Sequence, residues 1–160
     1  MKLTIAAIGT VKSGPMAALI DDYSDRARRT GRSIGLLGPE IREGDAPRSL
    51  SGDQRLTAEA ALLERYAHGA DVRVVLDEGG KNMPSRAFAR QLSEWRDQGR
   101  KEAAFLIGGA DGHAAQTLAD ADLQLSFGAA TWPHLLARVM LCEQLYRAAT
   151  ILSGHPYHRE

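Results

Sequence analysis

Short apolar runs alternate with helix-period patterns along the whole chain, and this alternation constrains the fold more than any other feature. Residues 3–8 form a buried-type strand pattern ended by Gly9. Pro15 opens a helix predicted to run to about residue 29, with Ala18, Leu19, Ile20, Tyr23 and Ala27 as its apolar positions and Gly31 as its stop. A second short strand is expected at 33–37. Residues 38–53, rich in Gly, Pro, Ser and charge, read as a long loop. Ser51 or Asp53 caps a helix running to about residue 67. Strand patterns follow at 72–77, 103–107 and 123–127. A helix through Phe88, Leu92 and Trp95 and a short one through Leu118 lie between them, and a last helix is expected over 133–152. Strand–helix alternation of this kind predicts an α/β fold, a mostly parallel sheet flanked by helices, in a single domain spanning 1–160.

Composition narrows the function classes. A chain of 160 residues buries roughly 68–70% of its unfolded surface without staples. Twenty basic and twenty acidic residues cancel, so no global field draws the chain to nucleic acid or membrane, and only a local basic patch could. Cys142 is the only cysteine, which rules out an intramolecular disulfide and suits a reducing compartment. The first apolar run is too short for a signal-peptide core, and no stretch approaches membrane-spanning length. These features predict a cytoplasmic protein with no membrane partner.

Three strand ends carry glycine-bearing segments: Leu76-Asp77-Glu78-Gly79-Gly80, Gly108-Gly109-Ala110-Asp111-Gly112 and Gly128-Ala129-Ala130-Thr131-Trp132-Pro133. Ligands of open α/β sheets bind beyond the carboxyl ends of the strands. Each segment alone is equally well a plain turn. Together they predict a pocket lined by backbone N–H and C=O groups. The first strand is followed by Gly9-Thr10-Val11-Lys12, so the dinucleotide fingerprint is absent. Gly79-Gly80-Lys81-Asn82 does not fit a phosphate loop. With no concentrated basic charge, the pocket suits an adenine-and-ribose ligand without phosphates. S-adenosylmethionine is one such ligand, though composition alone does not select it.

The last helix is apolar nearly all round. Leu135, Val139, Leu141, Cys142, Leu145, Tyr146, Ala149 and Leu152 share one broad face, while Leu136 and Met140 flank the opposite polar group of Glu143, Gln144 and Arg147. Such a helix is buried on two sides, and in a small domain this predicts a homodimer interface. Arg138 falls near the centre of the apolar face. It reads either as snorkelling near the helix start or as a paired arginine at a dimer seam or active site.

The chain closes on His155-Pro156-Tyr157-His158-Arg159-Glu160, a terminus dense in proton donors, proton acceptors and an anion-binding fork. His155 and His158 are three apart, but Pro156 prevents their helical pairing and no C-x-x-C supplies further ligands, so no metal is expected. A G-x-S-x-G elbow is also lacking, which argues against a hydrolase triad.

Taken in order, these residues carry a resemblance: a glycine pair after Leu106-Ile107, then Thr131-Trp132-Pro133-His134, Arg138, Leu145-Tyr146-Arg147-Ala148 and the terminal six. Over essentially its full length the chain resembles the bacterial 23S ribosomal RNA pseudouridine N3-methyltransferases, a branch of the SPOUT superfamily. Two departures stand out. The glycine loop reads Gly-Gly-Ala-Asp-Gly-His where the family more often has proline and glutamate in the middle, and Trp132 replaces a more usual aliphatic residue.

The resemblance implies a SPOUT-type fold with a C-terminal trefoil knot, a homodimer, S-adenosylmethionine as cofactor, and as substrate a pseudouridine in a 23S rRNA stem-loop on the assembled ribosome. It places the cofactor at Leu76, Gly108, Gly109, Phe127, Gly128, Ala129, Ala130, Thr131, Trp132 and Pro133, and the family's tail residues at Tyr157, His158 and Arg159.

Methyl transfer to a ring nitrogen needs alignment and removal of the imide proton. On this reading Tyr157 or His158 assists that removal. Arg159 holds a phosphate or developing oxyanion, and Arg138 supports the tail or the substrate. A tail that only plugs the pocket is the plainer alternative. At the level of the whole protein, the alternatives are a non-catalytic ribosome-binding factor and a SPOUT enzyme acting on tRNA. Two basic clusters, Arg26, Arg28, Arg29 and Arg32, and Arg96, Arg100 and Lys101, are candidate RNA contacts.

Overall fold

The computed structural model describes residues 1–159; Glu160, the carboxylate of the terminal motif, lies outside the described residues. Five strands, β1 (Lys2–Ile8), β2 (Leu37–Gly44), β3 (Val72–Asn82), β4 (Glu102–Ile107) and β5 (Leu123–Ser126), make one sheet in the order β2-β1-β4-β3-β5. Every strand pair is parallel. Five helices connect or follow them: α1 (Pro15–Arg32), α2 (Gly52–Tyr66), α3 (Ser85–Asp97), α4 (Ala115–Ala119) and α5 (His134–Ser153).

Period-two alternation sorts the core into two layers. Leu3, Ile5 and Ala7 of β1, with Ala103, Phe105 and Ile107 of β4, face the layer holding Ile20, Phe88, Leu92, Leu141 and Leu145. Phe88 meets Phe105 edge-on, with ring centroids 6.1 Å apart. The intervening Ala6 and Ile8, with Ala104 and Leu106, face Leu63 and Ala67 at the end of α2. One face is thus covered by α1, α3 and α5, the other chiefly by α2. Because all strands run the same way, their carboxyl ends share one edge, and β4 inserted between β1 and β3 opens a crevice there.

Two expectations from sequence need correction. The second strand is not at 33–37: it spans Leu37–Gly44, inside the stretch read as a loop. That edge strand is largely polar, so its hydrophobic pattern is weak, and Pro39, entered through a cis peptide, reads as a breaker. Likewise β3 does not stop at Asp77. Both Leu76 and Lys81 pair with Leu125, so residues 77–80 form a bulge and the strand resumes beyond them. Helix α5 packs between α1 and α3, which covers one broad side of it, while Leu135, Leu136 and Met140 stay half-buried.

At its far end α5 closes on Gly154, whose φ of 71° lies in the left-handed region. The His155 N–H returns to the Thr150 carbonyl at 2.9 Å. This cap turns the tail back along its own helix.

Candidate active site

A cavity of about 790 Å³ lies at the carboxyl edge of the sheet, walled by the β3 bulge and the loops after β4 and β5 and roofed by the start of α5. That volume is in the range of small-molecule sites. Nine of the ten residues assigned to the cofactor from sequence line it: Leu76, Gly108, Gly109, Phe127, Gly128, Ala130, Thr131, Trp132 and Pro133. Ala129 does not. Asp77, Glu78, Asp111, His113 and His134 also line it, and no lysine or arginine does.

Backbone and short side chains fasten the walls to one another. Thr131 Oγ1 donates to Glu78 Oε2 at 2.7 Å, joining the β5 loop to the β3 bulge. Buried Ser126 donates through Oγ to the Gly128 carbonyl (2.9 Å) and accepts the Gly128 N–H (3.1 Å). The Gly108–Gly112 loop is so tight that a β-carbon on Gly108 would fall 2.4 Å from the Gly112 carbonyl oxygen, so only glycine fits there. Behind this loop Glu59 of α2 is buried, accepting a hydrogen bond from Arg55 Nε at 2.9 Å.

The two pocket histidines differ in setting. His113 Nε2 lies 3.1 Å from both the Gly108 N and the Leu76 carbonyl oxygen. Burial lowers the pKa of His113. At His134, the first residue of α5, burial and then the charge of Arg138 lower it too. Both rings are therefore neutral at neutral pH.

Arg138 has no exposed surface. Its guanidinium pairs with Glu43 of β2 and donates to the carbonyls of Ile8 and Gly9, each at 2.9 Å. It clamps the pocket end of α5 to the ends of β1 and β2, and it is not among the residues lining the cavity. Snorkelling is excluded: the whole side chain is inside. Glu43, its counter-charge, was missed from sequence, because it lies 95 positions away in the stretch read as a loop.

The tail docks at the other end of α5. The Tyr157 ring packs on Tyr146 with centroids 4.6 Å apart, and the Arg147 guanidinium sits 4.8 Å from the Tyr157 ring centre. Tyr157 donates its hydroxyl to Glu143 Oε1 at 3.0 Å, and Arg147 Nε donates to the same oxygen at 2.9 Å. Burial, then the bond to Glu143, push the Tyr157 pKa up to about 12. The phenol is thus a donor here and not a base. Arg147 Nη1 lies 3.4 Å from His158 Nδ1, and since arginine only donates, that nitrogen accepts. Arg159 is exposed. Tyr157, His158 and Arg159 are absent from the cavity lining. Along α5 their docking residues Glu143 and Arg147 lie nine and thirteen positions from His134, roughly 14–20 Å at the helical rise.

Several members of the basic clusters are tied down locally. Arg26 pairs with Asp22, Arg28 with Asp25, and Arg96 with Asp97 while also donating to the Ile34 carbonyl. Among the described residues no group of three or more His, Cys, Asp or Glu could hold a metal ion, and no helix is long and apolar enough to cross a membrane.

A family profile described as "Predicted SPOUT methyltransferase" matches residues 1–158. Two relatives are each named ribosomal RNA large subunit methyltransferase H. One, from Rhodopseudomonas palustris (strain BisB18), is 49% identical over 159 residues, covering 99% of both chains. The other, from Maricaulis maris (strain MCS10), is 53% identical over 161 residues, covering 100% of both. Among solved structures, a probable methylase family protein from Haemophilus influenzae Rd KW20 superposes with a TM-score of 0.56 at 12% identity, covering 99% of this chain and 70% of that one. At that identity the likeness speaks for the fold. The chain belongs to the SPOUT methyltransferase family.

Proposed function

We propose that this methyltransferase transfers a methyl group from S-adenosylmethionine to N3 of a pseudouridine in a stem-loop of 23S rRNA on the assembled ribosome, as a cytoplasmic homodimer. The observation that carries the reading is the full-length match to relatives named for the large-subunit ribosomal RNA. The family's trefoil knot at the C-terminal part of the sheet belongs to the same reading.

The pocket fits the cofactor by its chemistry. Three carboxylates and no lysine or arginine line it, which suits a ligand carrying a positive sulfonium and no phosphate. When bound, S-adenosylmethionine supplies an electrophilic methyl carbon. Leu76, Gly108, Gly109 and residues 127–133 would hold it, largely through backbone groups.

The protein's remaining tasks are to place the ring nitrogen in line with that carbon and to accept the N3 proton as the new N–C bond forms. The acidic pocket needs cations from elsewhere to hold an anionic RNA. Arg159 supplies one, and His158 comes with it as the proton acceptor, but the pocket of their own chain is too far along α5 to receive either as docked. A second copy with its α5 antiparallel brings one tail to the other's pocket, which is the support for the homodimer. His158 is the proton acceptor in this arrangement, since Tyr157 holds its own proton firmly. Arg159 holds phosphate or the developing negative charge, and Arg138 is a positioning residue that fixes the pocket end of α5.

With zero net charge and paired arginines on α1 and α3, shape on the ribosome dominates recognition, so isolated stem-loop RNA binds weakly. The test is mass mapping of rRNA and tRNA nucleosides from a deletion strain. Loss of one N3-methylated pseudouridine from 23S rRNA alone is expected; loss of a tRNA modification instead overturns the reading.

A further inference from the structure

His113 is placed where no feature of the sequence explained it, and its hydrogen bonding is incomplete. Its Nε2 sits 3.1 Å from the Gly108 N–H and 3.1 Å from the Leu76 carbonyl, one a donor and the other an acceptor. A single ring nitrogen cannot serve both, because it carries either a lone pair or a proton. With the lone pair on Nε2, Gly108 is satisfied and the Leu76 carbonyl receives no donor from the ring. With the proton on Nε2, Leu76 is satisfied and the Gly108 N–H is left without an acceptor. The second nitrogen, Nδ1, is buried with no partner.

Both residues line the cavity, Leu76 just before the β3 bulge and Gly108 just after β4. The imidazole therefore stands between two walls of the slot and can bond only one of them at a time. The loop it closes is already rigid, with Gly112 N bonded to the Gly109 carbonyl at 3.2 Å. Burial keeps the ring neutral at neutral pH, against the pull of Asp77 from β3 and Glu59 from α2.

We propose that His113 is a positioning residue for the nucleoside end of the methyl donor: its neutral ring accepts the Gly108 N–H and leaves the Leu76 carbonyl free of the ring, to receive a donor group on the ligand. An imidazolium can only donate. It would occupy the Leu76 carbonyl, release the Gly108 N–H and add a buried positive charge beside the cationic donor's site. Cofactor affinity therefore falls as pH falls through the His113 pKa. The inference rests on the cofactor reading above and adds the residue that shapes that site.

The experiment is calorimetric titration of the full chain with S-adenosylhomocysteine from about pH 8 to about pH 5, for wild type, His113→Gln and His113→Phe. S-adenosylhomocysteine lacks the sulfonium charge, so the pH dependence reads the pocket and not the ligand. Wild-type affinity is expected to hold from pH 8 to below the ordinary imidazole value and then weaken progressively toward the acid end, because burial lowers the His113 pKa. His113→Gln presents an amide at the position of Nε2, able to accept from Gly108, and should bind near wild-type affinity at pH 8 with that pH dependence removed. His113→Phe should bind about ten-fold more weakly at pH 8 through loss of the acceptor for the Gly108 N–H. A wild-type affinity that is flat with pH, or a His113→Gln variant that keeps the wild-type pH slope, overturns the proposal while leaving the cofactor reading standing. That comparison survives a His113→Phe variant that fails to fold. Failure of the wild type to bind S-adenosylhomocysteine at any pH overturns both.

Discussion

Arg138 and Arg147 stand nine residues apart on α5 and hold opposite ends of the site by opposite means. Arg138 is wholly buried, bonded to a carboxylate and two carbonyls from strands far away in sequence. Arg147 keeps about a quarter of its side chain exposed, pairs with Glu143 one turn before it and covers the Tyr157 ring. The first joins a helix to the sheet edge and so sets the geometry of the pocket. The second joins a terminus to its own helix and can release it at small cost. A buried charge network fixes a site, whereas a partly exposed one at a helix surface lets a segment be re-docked, as the proposed exchange of tails between subunits requires.

Removing Arg138 should have the largest effect. Arg138→Met strips the Ile8 and Gly9 carbonyls of their donor and leaves Glu43 unpaired, costing about 3 kcal/mol or more by chemical denaturation. A variant of unchanged stability that no longer methylates ribosomes would move Arg138 from scaffold to chemistry. Truncation after Ser153 should leave unfolding within about 1.5 kcal/mol of wild type, because only tail contacts such as the Tyr146–Tyr157 pair are lost. Methylation of ribosomes by the truncated chain should fall by about two orders of magnitude. A normal rate would reduce the tail to a plug.

Gly108→Ala should weaken cofactor binding by about ten-fold, since its β-carbon meets the Gly112 carbonyl and the loop must spread; titration with S-adenosylhomocysteine measures it. The smallest effect is expected of Tyr157→Phe, which loses one hydrogen bond to Glu143, about 1 kcal/mol of tail docking, with methylation reduced less than about ten-fold. The same phenol gives the tail a pH limit. Its docked pKa of about 12 lies above the ordinary 10, so its contribution is fully present below pH 10 and is lost as pH rises through about 12. Tyrosinate absorbance, compared between wild type and Tyr157→Phe, follows that loss. A Tyr157 that ionises near pH 10 would mean that the tail is not docked as described.

The alternation of strand and helix and the glycines at strand ends were readable from sequence because they are local. A buried strand announces itself in a run such as residues 72–77, and a turn in its glycines. Where the local signal was weak or misleading, the reading slipped. The polar edge strand β2 hid behind Pro39, and Gly79 and Gly80 marked a bulge in a strand that continues past them. Arg138 could be flagged as a charge on an apolar face, but its partner could not.

The sequence by itself determined the α/β layering, the three loops that meet in one cavity and the chemical oddity of the terminus. It did so because propensity, hydrophobic period and turn chemistry act over a few residues. Only the tertiary structure decided that Glu43 meets Arg138, that His113 stands between Gly108 and Leu76, and that Tyr157 turns back onto Glu143 and away from the pocket. Those contacts depend on which strand lies beside which, and that is settled by packing of the whole sheet against its helices.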